Sequence, residues 1–216
     1  MSSIGRYIRA IRDYFTKGET GDAAFIEFEV YGIGINSDLA AKLKQLDCLA
    51  PVVDTAKLVQ LPQETLGYQY ARHLKQNQIQ PLEISPDLEA EAANNPFALR
   101  FTATHDLFHV LLGFDTTYAG ETGVFSFAVA QNYSAMLRII EPIALSVVCL
   151  ARPHKILQIW KCYRLGKRLG KQAKCLLVYP FEKDWARPLA EVRADLGLTT
   201  LTEEPHHPKL VVSGNS

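Results

Sequence analysis

The segment HDLFHVLLGFDTTYAGE, His105 to Glu121, concentrates the metal-binding side chains of the chain. His105 and His109 are four apart in a run with helical periodicity, so their imidazoles lie one turn above the other on one face. Asp106 stands three residues before His109 and flanks that face. Glu121 follows the chain reversal at Gly113, at the start of the next helix, where it can face back towards the pair. Two nitrogens and two oxygens converge in this way, and a helical H-x-x-x-H pair is a known grip for a divalent ion. With no thiolate in the set, a Cys-rich structural zinc site is excluded. Imidazole plus carboxylate suits Zn²⁺ first, then Fe²⁺ or Mn²⁺, and a carboxylate-dominated subset also accepts Mg²⁺. Four protein ligands would close a tetrahedral zinc site and make it structural, so catalysis requires one of them to stand back. Asp106 is expected to do so, orienting a histidine. The alternative is a pair of core histidines held by Asp106 and Glu121.

The elements that must position these residues read as helices. Ile4, Tyr7, Ile8, Ile11 and Phe15 share one face opposite Arg6, Arg9 and Arg12. Asp22 to Val30 contains FIEFEV, which alternates briefly like a strand, but the segment is read as helix. Ser37-Asp38-Leu39 opens another helix, and Pro62 is expected in the first turn of a third, with Leu66, Tyr70 and Leu74 on one stripe. Residues 81 to 95 are rich in Pro, Glu, Asp and Asn and read as a loop with one acidic turn. Pro96 starts the helix that carries the two histidines, and Gly113 ends it. The apolar stretch from Gly123 to Leu150 reads as one long core helix, kinked or broken at Pro142. Further helices are expected over 155–174 and from Trp185 to Leu196. The expectation is an all-α, single-domain helical bundle over residues 1–198 with a long central apolar helix, followed by a flexible tail over 199–216.

Composition narrows the function classes. The 216 residues carry 23 basic and 23 acidic side chains and no net charge, which removes any global case for nucleic-acid binding. The length suffices for a core without disulfide or metal staples. Cys48, Cys149, Cys162 and Cys175 form no C-x-x-C pair and read as free thiols of a reducing compartment. No secretory signal is expected, since arginines break the first apolar run. The 123–150 stretch is interrupted by Gln131, Asn132, Arg138, Glu141 and Pro142, so it does not read as a membrane span. Ser126 and Ser134 lack a neighbouring base, and His73 and His154 read as isolated structural residues.

HDLFH, followed after eleven residues by Glu121, resembles the HDxxH-(x)n-E signature of the Coq-four family of coenzyme Q (ubiquinone) biosynthesis proteins. The likeness extends to LPQETLGYQYARHL (Leu61 to Leu74), to Gly120-Glu121 and Gln131, and to W-x-x-PL-x-x-VR-x-x-LG from Trp185 to Gly197, covering roughly residues 20 to 198. The chain departs from the pattern at Ala103-Thr104, where a charged Arg-Glu pair is expected. The resemblance implies an all-helical homodimer without a spanning segment, peripheral to the inner membrane on its cytoplasmic side, or on the matrix side in a mitochondrion. It implies binding of polyisoprenoids or prenylated quinone precursors and association with other quinone-biosynthesis proteins. It also implies either oxidative decarboxylation at C1 of the ring or a non-catalytic role as a lipid-presenting scaffold.

On this reading the helix beginning at Gly123 lines an apolar tunnel for the prenyl chain. Val124, Phe125, Phe127, Ala128 and Gln131 are the expected lining, and Tyr118 is expected at the polar head. Arg152, Lys155, Lys161, Arg164, Lys167, Arg168, Lys171 and Lys174 occur in a segment with no acidic residue, and those from Lys161 onward recur at intervals of three and four. Such a stripe is either a solvated helix face or a contact for anionic lipid headgroups.

Overall fold

The computed structural model describes residues 20–81 and 89–198. The described residues form ten α-helices: α1 Thr20–Tyr31, α2 Ser37–Leu43, α3 Thr55–Leu58, α4 Leu66–Asn77, α5 Glu89–Asn94, α6 Pro96–Leu112, α7 Tyr118–Ala130, α8 Ala135–Ala151, α9 Ile156–Gln172 and α10 Leu189–Asp195. Two isolated bridges, Ile35 to Ser134 and Thr65 to Pro188, are the extended pairings among them. The fold class is all-α. The helix expected over residues 4–17 and the tail from Thr199 lie outside the described residues.

Helix α6 is the buried centre. Asn95 accepts the Ala98 N–H as N-cap, Pro96 fills the first turn where no N–H is needed, and Gly113 ends the helix with φ 71°. Phe97, Phe101, Leu107, Phe108, Leu111 and Leu112 are all buried. Helix α1 lies against α6 with Phe28 stacked on Phe101, ring centroids 4.3 Å apart. The FIEFEV alternation is therefore overridden by helix packing. Helix α4 presents Leu66, Tyr70 and Leu74 to the core, but it starts at Leu66 with Thr65 as N-cap, so Pro62 precedes the helix rather than opening it.

The 123–150 stretch is two helices, not one. Gln131 ends α7, Asn132 takes φ 56°, and Ser134 caps α8 by accepting the Leu137 N–H. Asn tolerates the left-handed region and Ser favours the N-cap, so the break falls there. Pro142 sits inside a continuous α8, on its exposed side, where water can take the Arg138 carbonyl it leaves without a donor. The two helices also differ in burial. Helix α7 is core, whereas α8 buries only Leu137 and exposes Ile139, Ile143, Val147 and Leu150. Helix α9 packs closely on α7 through glycine: a Cβ on Gly166 would lie 2.1 Å from the Gly123 carbonyl oxygen, and one on Gly170 would lie 2.6 Å from that of Phe127. No helix among the described residues is long and apolar enough to cross a membrane.

Candidate metal centre

The end of α6 that carries His109 is fixed from two sides. Arg193 of α10 donates to the Val110 and Leu111 carbonyls at 2.8 and 2.9 Å, occupying acceptors that a helix end leaves open. The Gly113 N–H closes on the His109 carbonyl at 2.9 Å. The loop then folds on itself: Asp115 Oδ1 accepts the Thr117 N–H, and Thr117 in turn caps α7 by accepting the Gly120 N–H. This places Glu121 in the first turn of α7, facing the histidines. His105 is held against Phe28 and Phe101, with ring centroids 5.5 and 6.2 Å away.

His105, His109 and Glu121 form one group whose candidate ligand atoms all lie within 4.8 Å of one another. Glu121 Oε1 is 3.3 Å from His109 Nε2, and Oε2 is 3.7 Å from His105 Nε2. Asp106 stays outside the group, with Oδ1 4.0 Å from His105 Nδ1. Burial holds its carboxyl up at about 6, against the opposing pull of His109. Burial, reinforced by His109, pushes His105 down to about 4. Burial also opposes charge on His109 and Glu121, but their mutual contact outweighs it, so His109 is raised and Glu121 lowered.

The donor set fits a divalent ion. His109 Nδ1 lies 3.1 Å from the Asp115 carbonyl and 3.3 Å from that of Phe114, acceptors that assign the proton to Nδ1. In the neutral ring Nε2 then carries the lone pair; it is buried, faces Glu121 Oε1 at 3.3 Å without a hydrogen bond of good geometry, and a proton, which Glu121 favours there, competes with an ion for it. A backbone carbonyl on one imidazole nitrogen and a free second nitrogen is the usual arrangement of a metal-ligating histidine. Two imidazoles and a carboxylate also leave coordination positions for an outside ligand.

His73, read from the sequence as isolated, belongs to this neighbourhood. Its ring stacks on His109, and Asn77 Nδ2 donates to its Nδ1 at 3.3 Å. Asn77 also accepts from Thr116 in the loop that holds His109. The available signal was a histidine on the buried Leu66, Tyr70 and Leu74 side of α4.

A cavity of 410 Å³ opens beside the group, within the roughly 300–1,000 Å³ of small-molecule sites. His105, Glu121, Tyr118, Val124 and Phe125 line it, together with Phe28, Tyr31, Phe101, Ala144, Leu145 and Val148. Phe127 and Ala128 lie in the core instead. Gln131 donates to the Gly170 and Ala173 carbonyls and ties α7 to the end of α9.

The family described as coenzyme Q (ubiquinone) biosynthesis protein Coq4 matches residues 49–202. The ubiquinone biosynthesis protein COQ4 homolog, mitochondrial, of Danio rerio is 33% identical over 162 residues, 71% of this chain and 55% of that protein. The Homo sapiens protein of the same name is 29% identical over 151 residues, covering 68% of this chain and 55% of its own length. The chain thus spans about half the length of the curated relatives it matches. A crystal structure of a Nostoc punctiforme protein provisionally named for ubiquinone biosynthesis superposes with a TM-score of 0.64 at 22% identity, covering 91% of this chain and 96% of that one.

Proposed function

Because this chain belongs to the Coq4 family of ubiquinone biosynthesis proteins, we propose that it holds a divalent ion, zinc first, on His105, His109 and Glu121 and works on the ring end of a prenylated quinone precursor. The observation that carries this reading is a group of three candidate ligands, two of which, His105 and Glu121, line a cavity with largely apolar walls. The ion would supply a Lewis acid that polarises a ring substituent such as the carboxyl at C1. The chain's own residues do the rest. The Phe114 and Asp115 carbonyls hold His109 in the ligating tautomer, Phe28 and Phe101 orient His105, and the apolar wall excludes water around the ring. Asp106 tunes the histidines from beside them.

The same reading includes a membrane surface. Helix α8 turns Ala144, Leu145 and Val148 to the cavity and its other side outward. There Leu150 is 82% exposed, and Leu157 at the start of α9 is 80% exposed beside Trp160. Arg152, Lys155 and Lys161, close to them in the chain, are exposed as well. Exposed apolar residues with exposed cations close by in the chain match an anionic bilayer, and a prenyl tail buried in it would have a short route to the cavity.

The test joins metal analysis with lipid extraction. Protein purified without chelators should hold about one divalent ion per chain and an extractable isoprenoid, and His109→Ala should lose the ion. Supplied with a prenylated hydroxybenzoate, and with dioxygen as the two-electron acceptor and water as the oxygen source, the metal-loaded protein should release carbon dioxide and hydrogen peroxide and leave a hydroxyl at C1. Lipid and metal without turnover would make it a scaffold that presents precursors to other enzymes, and absence of both would end the proposal.

A further inference from the structure

The loop between α6 and α7 lies in a trough on α7 where side chains are missing. A Cβ on Gly120 would sit 1.9 Å from the Asp115 carbonyl oxygen and 2.7 Å from its carbon. One on Gly123, a turn further along, would sit 2.6 Å from the Phe114 ring. Both glycines are buried, and packed backbone cannot yield as the far end of a flexible side chain can. The Gly120 contact therefore admits no methyl group while the loop keeps its place. The two carbonyls held in this way, those of Phe114 and Asp115, are the ones on His109 Nδ1, at 3.3 and 3.1 Å. Asp115 Oδ1 is taken by the Thr117 N–H and hydroxyl, so it is the backbone oxygen that serves the ring.

Two acceptors compete for the single proton of a neutral His109 ring. The loop carbonyls draw it to Nδ1. The Glu121 carboxylate, 3.3 Å from Nε2 but without good hydrogen-bond geometry, draws it to Nε2, and a proton there closes the atom that would face an ion. Hydrogen bonds to a charged acceptor are about twice as strong as neutral ones, so the carbonyls prevail only while they stay within reach of Nδ1. Resting on the reading that His109 ligates an ion, we propose that Gly120 is a positioning residue: its bare Cα lets the Asp115 carbonyl reach His109 Nδ1 and so keeps Nε2 open for the ion.

The test reads tautomer and affinity separately on the full chain. Nitrogen-15 spectra of the imidazoles are taken on metal-free protein at a pH where the ring is neutral, with the His109 signals assigned by their absence from His109→Ala. They should show the proton on Nδ1 in the wild type and on Nε2 in Gly120→Ala. Zinc affinity of Gly120→Ala, from competition titration, should fall at least tenfold although His105, His109 and Glu121 are all present. Gly67→Ala is the control for a merely structural effect, since a Cβ there would sit 2.9 Å from the Trp185 carbonyl oxygen, away from His109. It should lower the melting temperature and leave both tautomer and zinc affinity as in the wild type. A wild-type proton on Nε2 overturns the proposal with no variant needed, even where Gly120→Ala fails to fold. A Gly120→Ala protein with wild-type tautomer and affinity also overturns it, as does an equal loss of affinity in Gly67→Ala. Those outcomes strike Gly120 alone, with zinc still bound by the wild type. If the wild type binds no zinc, the metal reading itself fails and this inference falls with it.

Discussion

His73 and His109 stack with ring centroids 5.7 Å apart and planes 18° apart, so a histidine from α4 packs against the second member of the H-x-x-x-H pair. Burial and the neighbouring His109 hold His73 down at about 4. In the unfolded chain a histidine titrates near 6.5. Between these values the unfolded state binds a proton that the folded state does not. The stability of the metal-free protein should therefore fall as pH drops from about 6.5 towards 4, with His105 contributing in the same window. Glu121, whose folded value is lowered, adds stability above its ordinary range that is lost on further acidification. His109 is raised and works the other way: its contribution is complete below 6.5 and disappears as pH rises through its folded value. His73→Phe keeps a ring against His109 and removes one titration. Urea unfolding should show a pH slope between 4.5 and 6 that is shallower than wild type by about 1.4 kcal/mol per pH unit. Identical slopes would mean that His73 is not held neutral.

Metal affinity should separate the aspartate from the three grouped residues. His109→Ala removes a buried ligand nitrogen, so competition titration should show at least a hundredfold weaker zinc binding. Asp106→Asn should cost only about tenfold, the lower end for groups that support a ligand without touching the ion. An equal loss in both would place Asp106 among the ligands.

The histidine helix was legible because every signal for it is local: the Asn95 cap, Pro96, the apolar periodicity and Gly113 lie within the helix or beside it. Glu121 was legible for the same reason, through a short loop of fixed length. The break between α7 and α8 was not, because Pro142 is a louder signal than Asn132 and Ser134, and only the fold shows that water can satisfy the carbonyl Pro142 frees. Long-range partners were also silent in the sequence. Arg100 is fully buried and donates to the Cys48, Leu49, Leu177 and Tyr179 carbonyls, and Arg193 caps α6 from the last helix. An arginine reads as surface until the carbonyls that face it are known. The apolar face of α8 runs in the opposite direction, since hydrophobic periodicity cannot distinguish a core face from an exposed one.

The glycine contact between α7 and α9 should be intolerant of any side chain. A methyl group at Gly166 would sit 2.1 Å from the Gly123 carbonyl oxygen and 2.2 Å from Ser126 Oγ, so the helices must part. Gly166→Ala should cost about 3 kcal/mol despite its higher helix propensity, and Gly170→Ala should also destabilise. Because α8 and Tyr163 of α9 line the cavity, the same variant should weaken binding of a geranylated probe. A Gly166→Ala protein with unchanged melting temperature would contradict the close approach.

The exposed apolar face of α8 and α9 should bind a bilayer through both its parts. Leu150 and Leu157 are 82% and 80% exposed, so Leu150→Ser/Leu157→Ser removes little folded-state packing and should leave the melting temperature unchanged. Sedimentation with vesicles containing anionic lipid should nevertheless fall at least fivefold, because these side chains supply the insertion. Lys155→Glu/Lys161→Glu acts on the charge alone: it should abolish the preference for anionic over neutral vesicles while leaving the weaker neutral binding intact. High salt should reproduce that charge loss in the wild type, since exposed charges are screened beyond about 8 Å at physiological ionic strength. The competing occupant of this face is a second copy of the chain. If the serine variant converts a dimer to a monomer in size-exclusion chromatography while vesicle binding is undiminished, the face is a subunit interface. The exposed Arg152, Lys155 and Lys161 would then need another explanation.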